Sequence, residues 1–425
     1  MRWLILVGIL VLLVLPAFAQ PVQRLESGEE YSFDVGEELE RYALTFEFVL
    51  EKYSAFMESF KVDLGGGLTV EVYSCVPPRP SPGVYLRVGG VEEEAPVLLI
   101  PGERYRFVVS CDGSSTEVRV EALEEGWVLR SETVQPFFIQ GLTYGDGKWY
   151  YTATSMVFRV SERGEVEDYN DYPIPGELGE KGYFHLGDPD YYKGLIVIPI
   201  EKKGYVRPAI IAIYDADSLK LVRYAYVDQD HAPWVAVDPE GYVYCSEFQA
   251  TEIYVYRLDD IGKGNKASPV RVVELKGKLP GVQGAVYVDG FLYASVVDWY
   301  VYRVNLETGN VERLIPLPKM YEVEGIEYAE TPDGALHVLM NTFSEKYNLV
   351  YHAFKVKEGE VLAGIKLDSA YSIGPKVVIK ARQPLEIAQP RIERVKEEIP
   401  VEILTVATLV VVIIAALLAK KLKKT

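Results

Sequence analysis

The chain has 425 residues, 49% of them hydrophobic and 12% aromatic, which excludes a disordered protein and leaves room for more than one folded core. Its 62 acidic residues against 44 basic ones give a formal charge of −18, and this excludes a nucleic-acid partner, because phosphate binding needs clustered Lys and Arg. The aromatic share is dominated by 31 Tyr, and together with abundant Val, Thr and Gly it predicts strands: an all-β protein.

Residues 1–19 carry Arg2, an apolar run from Trp3 to Leu15, and Ala17-Phe18-Ala19 ahead of Gln20. This pattern reads as a secretory signal peptide cut after Ala19, with an uncleaved anchor helix as the alternative. Over residues 20–130 the chain alternates β-rich runs with turns: Tyr31 to Val35, Tyr42 to Val49, Leu68 to Cys75, Val84 to Val88, Arg104 to Cys111 and Thr116 to Ala122. Short alternating runs at this density predict a β-sandwich. Cys75 and Cys111 each close a strand, and an exported chain permits disulfides, so a bridge between them is expected, the alternative being two buried thiols. Cys245 lies in an apolar strand and reads as a small core residue. This segment holds no His, which removes the usual catalytic base.

Beyond it the sequence repeats. Hairpin turns at Gly147, Gly194, Gly241, Gly290 and Gly334 are spaced by 47, 47, 49 and 44 residues. Each is preceded by an opening group: Gln140-Gly141-Leu142, His185-Leu186-Gly187, His231-Ala232-Pro233, Gln283-Gly284-Ala285 and Glu324-Gly325-Ile326. Four strand-like runs per period are the signature of a propeller blade, so residues 138–368 are expected to form a five-bladed β-propeller with every blade complete in itself. In a blade the first strand starts, and the second ends, on one face of the disc. That rim is expected to collect Gln140, His185, Asp188, Glu201, His231, Trp234, Glu247, Gln283, Asp298, Trp299, Glu324 and Asn341 as ligand-binding residues.

Two His among several carboxylates are ordinary ligands for a divalent metal, and Glu201, Glu247 and Glu324 are candidate acids and bases. The spacing follows the repeat and matches no metal motif, so no metal or cofactor is assigned. Plainer readings are hydrated polar groups and carboxylates that bond neighbouring backbone. No nucleophile elbow, phosphate-binding glycine loop or Cys-x-x-Cys pair is present in the sequence.

At Phe138-Ile139-Gln140-Gly141-Leu142-Thr143-Tyr144 the chain resembles the first blade of plant-type glutaminyl cyclases, which are secreted five-bladed propellers. Val286 to Ala294 followed by Asn305-Leu306-Glu307-Thr308-Gly309 is similar to that family's fourth blade, and Glu324-Gly325-Ile326-Glu327-Tyr328 to its fifth-blade opening. The departures are Phe184-His185-Leu186-Gly187, His231-Ala232-Pro233-Trp234 and Val282-Gln283-Gly284-Ala285, which stand where the family carries acidic site residues. The resemblance therefore implies the scaffold without the family's acidic site.

Residues 369–402, with Pro384, Pro390 and Pro400 among charges, read as a stiff stalk. Residues 403–419 carry no charge and span roughly 25 Å as a helix, which predicts a transmembrane segment. The lysines of the 420–425 tail place that tail in the cytoplasm. The function expected is a single-pass, membrane-anchored extracytoplasmic binding protein whose rim takes a protein, peptide or carbohydrate ligand. The alternatives are an extracytoplasmic enzyme of glutaminyl-cyclotransferase-like acyl transfer or hydrolysis, and a structural component of the cell envelope.

Overall fold

The computed structural model describes residues 22–53, 58–75, 83–88, 90–95, 97–319, 321–331, 334–388 and 390–395. The expected signal peptide, transmembrane segment and cytoplasmic tail lie outside these residues. Among the described residues no helix is long and apolar enough to cross a membrane. The described residues form an all-β fold, with seven sheets among them and only short helical pieces at Gly176–Glu180 and Leu258–Asp260.

Two of the sheets share one core. The first runs in the order Val22–Leu25, Leu385–Ala388, Tyr42–Leu50, Arg104–Cys111, Thr116–Ala122, Val361–Leu367, with Arg391–Arg394 also paired to Tyr42–Leu50. The second runs Glu30–Asp34, Lys376–Ala381, Phe60–Asp63, Thr69–Cys75, Gly83–Val88, Val91–Ala95. Period-two burial in the long strand puts Tyr42, Leu44, Phe46, Phe48 and Leu50 inside, where Phe46 meets Phe107 at 4.8 Å and Phe48 meets Phe60 at 4.9 Å between ring centroids.

This core corrects two expectations. The segment read as a stalk supplies three strands up to Arg394, because Val377, Ile379, Ala381, Leu385 and Ile387 alternate inward and are buried. Prolines and charges had masked that period. Pro384 sits between two of those strands, and its carbonyl accepts from the Glu51 amide. The disulfide is also absent: Cys111 is a buried free thiol on the first sheet. Cys75 ends a strand of the second sheet, and its side chain lies outside the described residues.

Of the other five sheets, four are meanders in chain order with four strand positions each, the second with an interrupted inner strand. The inner strands of all five, Gly141–Gly145, Asp190–Tyr192, Ala236–Val237, Val282–Val288 and Glu322–Thr331, lie against one another in that order, and the last returns to the first. The arrangement is propeller-like. The last sheet is not complete in itself, as had been expected. Its outer strand is Gly126–Val134, paired residue for residue with Asn348–Val356, so a segment ahead of the first blade closes the ring. Val361–Leu367, expected as the last blade strand, pairs instead with Thr116–Ala122. The ring therefore leaves and rejoins the two-sheet unit at neighbouring points, where the Ala122 amide donates to Glu360 and the Gly359 amide to Ala122. Leu98 bridges Leu129, and the Tyr53 hydroxyl donates to the Pro316 carbonyl at 2.7 Å across the junction.

At the centre of the ring stands the side chain of Asp188, with no exposure to solvent. Its two oxygens accept the amides of Leu142 at 3.1 Å and Ile326 at 3.3 Å, and its own amide donates to Pro233 at 2.7 Å. Gly141, Gly284 and Gly325 surround it so closely that a Cβ on any of them would overlap the Asp188 side chain or backbone. Small opening residues let strands of the first, fourth and fifth blades meet on one side chain of the second. Gly325→Ala is therefore expected to destabilise the protein by about 3 kcal/mol, through overpacking against backbone that has no room to move. Denaturant unfolding of wild type and variant checks this, with unchanged stability refuting the account of the axis.

Candidate binding rim

The strand ends that open each blade, and the hairpins between second and third strands, lie on one face of the ring. Register places His185 directly opposite Glu201. Glu201 is fully buried; its Oε2 lies 2.9 Å from His185 Nδ1, and its Oε1 lies 3.5 Å from His231 Nε2 without a hydrogen-bond partner. Strand ends of the second and third blades thus meet at one carboxylate.

Above them the second-blade hairpin carries Tyr205, held at φ +52°, a conformation costly for a bulky side chain. The Tyr205 ring stacks on His231 at 4.1 Å and meets His185 edge-on at 6.1 Å, while the other face of His231 stacks on Phe248 at 4.7 Å. Enclosed between two rings, His231 is pushed below the usual histidine range by burial, against the pull of Glu201. The Tyr205 phenol is raised by burial and then by the charges of Glu201, Glu322 and Glu324. Glu324, nearly buried, shares hydrogen bonds with Asn341 and Glu322, and burial raises its carboxyl well above the usual range, favouring the protonated form.

The remaining expected residues are distributed differently. Glu247 reaches the rim but is held by Arg207 at 2.7 Å. Asp188 and Trp234 are fully buried, so neither faces a ligand as expected: Asp188 fills the axis, and the Trp234 indole donates to Ser246 at 3.0 Å. Asp298 accepts from Tyr302 and Arg313 on the outer strands of its own blade, and the Trp299 indole donates to the Tyr321 carbonyl. Gln140 bonds its neighbour's carbonyl, and Gln283 is half-buried. Sequence reasoning missed Tyr205, Phe248 and Phe343. They lie in hairpin loops where the repeat carries no register, Tyr205 and Phe343 exposed and Phe248 half-buried, and an aromatic residue between two strand-like runs was the available signal.

Beneath Asp188 two further acids line the axis. Asp190 accepts from the amides of Val237 and Tyr191, and Glu327 from Thr143, Tyr144 and Tyr328. Burial raises Asp190 well above the usual carboxylate range and pushes Glu327 up to about 7. Among the described residues no group of three or more His, Cys, Asp and Glu is arranged to hold a metal.

No family model and no curated protein matches this chain. Among solved structures it is similar to glutaminyl cyclase from Myxococcus xanthus, at 13% identity over 55% of this chain and 99% of that one, with a TM-score of 0.42. A protein of unknown function from Bacteroides caccae is similar at 11% identity over 59% of this chain and 90% of that one, TM-score 0.36. A luciferin-regenerating enzyme is similar at 10% identity over 79% and 99%, also with a TM-score of 0.36.

The raised axial acids set a pH dependence. Unfolded, Glu327 titrates near 4.5; folded, it holds its proton up to about pH 7. The native state binds more protons between those values, so stability falls as pH rises through that window, by on the order of 3 kcal/mol. Glu327→Gln is expected to flatten this fall. Denaturant unfolding at intervals from pH 4.5 to 8 measures it, and a wild-type stability that climbs across the window would contradict the assignment.

Proposed function

We propose that this chain is a membrane-anchored extracytoplasmic binding protein, a five-bladed β-propeller inserted into a β-sandwich, that takes a peptide or carbohydrate ligand at the rim around Glu201. The carrying observation is the fully buried Glu201 carboxylate, whose Oε1 has no hydrogen-bond donor and stands beside His231. Glu201 has no exposed surface of its own, so it works through His185 and His231, which it anchors and whose side chains stay 15% and 20% exposed toward a ligand. Phe184, Tyr205 and Phe343 expose aromatic surface on the same face, which suits an amphipathic ligand that stacks on one side and donates hydrogen bonds on the other. Membrane attachment is supported by the apolar residues 403–419 and the lysines after them, and export by the pattern ending at Ala19.

A second reading, an extracytoplasmic enzyme with rim carboxylates as acid and base, is favoured by Glu324, a buried acid inclined to keep its proton and so able to donate one. Turnover of N-terminal glutaminyl peptides or glycosides by the purified ectodomain, lost in Glu324→Gln, would move the assignment to that class.

For the binding reading, the ectodomain is expected to capture ligands from peptide and glycan arrays. Glu201→Gln and Tyr205→Ala should each weaken capture by about tenfold or more, with circular dichroism showing that both variants stay folded. A variant replacing His185, Glu201, His231 and Glu247 together that keeps every wild-type ligand would remove the rim from the function. In cells, the mature chain is expected to begin at Gln20 and to stay with membranes after alkaline washing, as mass spectrometry and fractionation would reveal.

A further inference from the structure

The ring contains a second polar recess, remote from the rim chemistry, where its last blade meets its first. Four of the ring's other core clusters fill the spaces within and between blades with aliphatic and aromatic side chains. At the closing seam, apolar packing of Phe138, Leu142, Phe158, Leu339 and Val350 occupies part of the interface. The rest is a cleft of about 580 Å³, within the range of small-molecule sites. Its wall includes Tyr144, Trp149 and Tyr151 from the first blade, and His337, His352 and Glu132 from the last.

The protons of the two imidazoles follow from their partners. His337 Nε2 lies 2.8 Å from the Ala329 carbonyl, which can only accept, so that nitrogen carries hydrogen. In neutral His337 the Nδ1 is then an acceptor, and it lies 2.7 Å from His352 Nδ1, which must donate. Neutral His352 is left with a bare lone pair on Nε2. The His352 side chain is 7% exposed, and that nitrogen is buried with no hydrogen-bond partner. It lies 3.3 Å from Glu132 Oε2, so with His352 neutral an imidazole lone pair and a carboxylate oxygen stand side by side, and either a proton on His352 or a donor brought by a ligand satisfies both. Trp149 lies at the same place, its ring 5.0 Å from that of His337 and 5.0 Å from that of Tyr144.

We propose that this cleft is a binding site for a small organic ammonium ion with an aromatic or aliphatic body. The ammonium donates to His352 Nε2 and to Glu132, and its body lies along Trp149 and Tyr144. An ammonium group carries three donors and is attracted to aromatic faces, so two acceptors and an indole satisfy it. A transition metal is a poorer fit, because only two ligand atoms converge and structural metal sites need four. Glu162 and Glu330 also line the cleft, against Arg163 and Lys346, leaving its wall with one net negative charge beyond these pairs. His337 and His352 face each other in the last blade's own hairpin, but Glu132, paired with Val350, joins them only because Gly126–Val134 closes the ring, so the site belongs to the assembled ring.

Phenethylammonium and its uncharged counterpart 2-phenylethanol test the proposal against the described ectodomain, residues 22–395, by nuclear magnetic resonance of its histidine side chains. Saturable shifts of the His352 ring signals by the amine are expected at low millimolar concentration, about tenfold tighter than any effect of the alcohol. Glu132→Gln, at a side chain 61% exposed and therefore harmless to folding, is expected to weaken the amine about fivefold or more. His352→Asn is expected to weaken it similarly, with thermal unfolding confirming the fold. Alcohol and amine binding equally, Glu132→Gln binding like wild type, or no saturable shift at ten times the expected concentration would each overturn the site.

Discussion

The inner strands of the ring converge on one buried residue. Asp188 accepts an amide from the first blade and another from the fifth, and donates its own amide to the third. An ionised side chain this deep would be costly, and burial accordingly favours its protonated form. What makes the arrangement possible is the absence of side chains at Gly141, Gly284 and Gly325, which lets the backbones of the first, fourth and fifth blades approach within contact of one residue. The rim above and the acids below inherit their positions from this junction.

Ring closure is the second constraint. A strand next in sequence to the last blade would have completed it locally, as the repeat suggested. Instead Gly126–Val134 closes the sheet and Val361–Leu367 returns to the neighbouring unit. Joining the two ends of the repeat through a strand from outside it removes the exposed edge that an unclosed blade would present. It also ties the ring to the two-sheet unit, whose own sheets are completed by strands from both ends of the chain. The repeat is thus inserted between two halves of another fold, and the asymmetry of its seam explains why a cleft with paired imidazoles occurs there.

The rim and the seam use the same few residue types differently. All four His of the chain fall at these two places, two around Glu201 and two beside Glu132. At the rim the imidazoles converge on a buried acid and are enclosed by aromatic rings. At the seam they bond each other and leave one nitrogen facing a partly exposed acid. In both, imidazoles held beside an acid are the feature that points to a ligand.

The amino-acid sequence by itself determined the strands, their turns and the ring's period, because alternation and turn glycines are local properties of the chain. Predicted runs such as Arg104 to Cys111 and Thr116 to Ala122 coincide with the observed strands. It also brought His185 and Glu201 together, since a hairpin fixes their register. Which strand closes the last blade, which carboxylate fills the axis, and that the proline-bearing segment completes a core were decided by tertiary structure. Each depends on partners more than two hundred residues apart or on the convergence of several blades, and no local period records such contacts. Tyr205 and the His337–His352 pair emerged only there too, because a loop's direction and a proton's position are set by what packs around them.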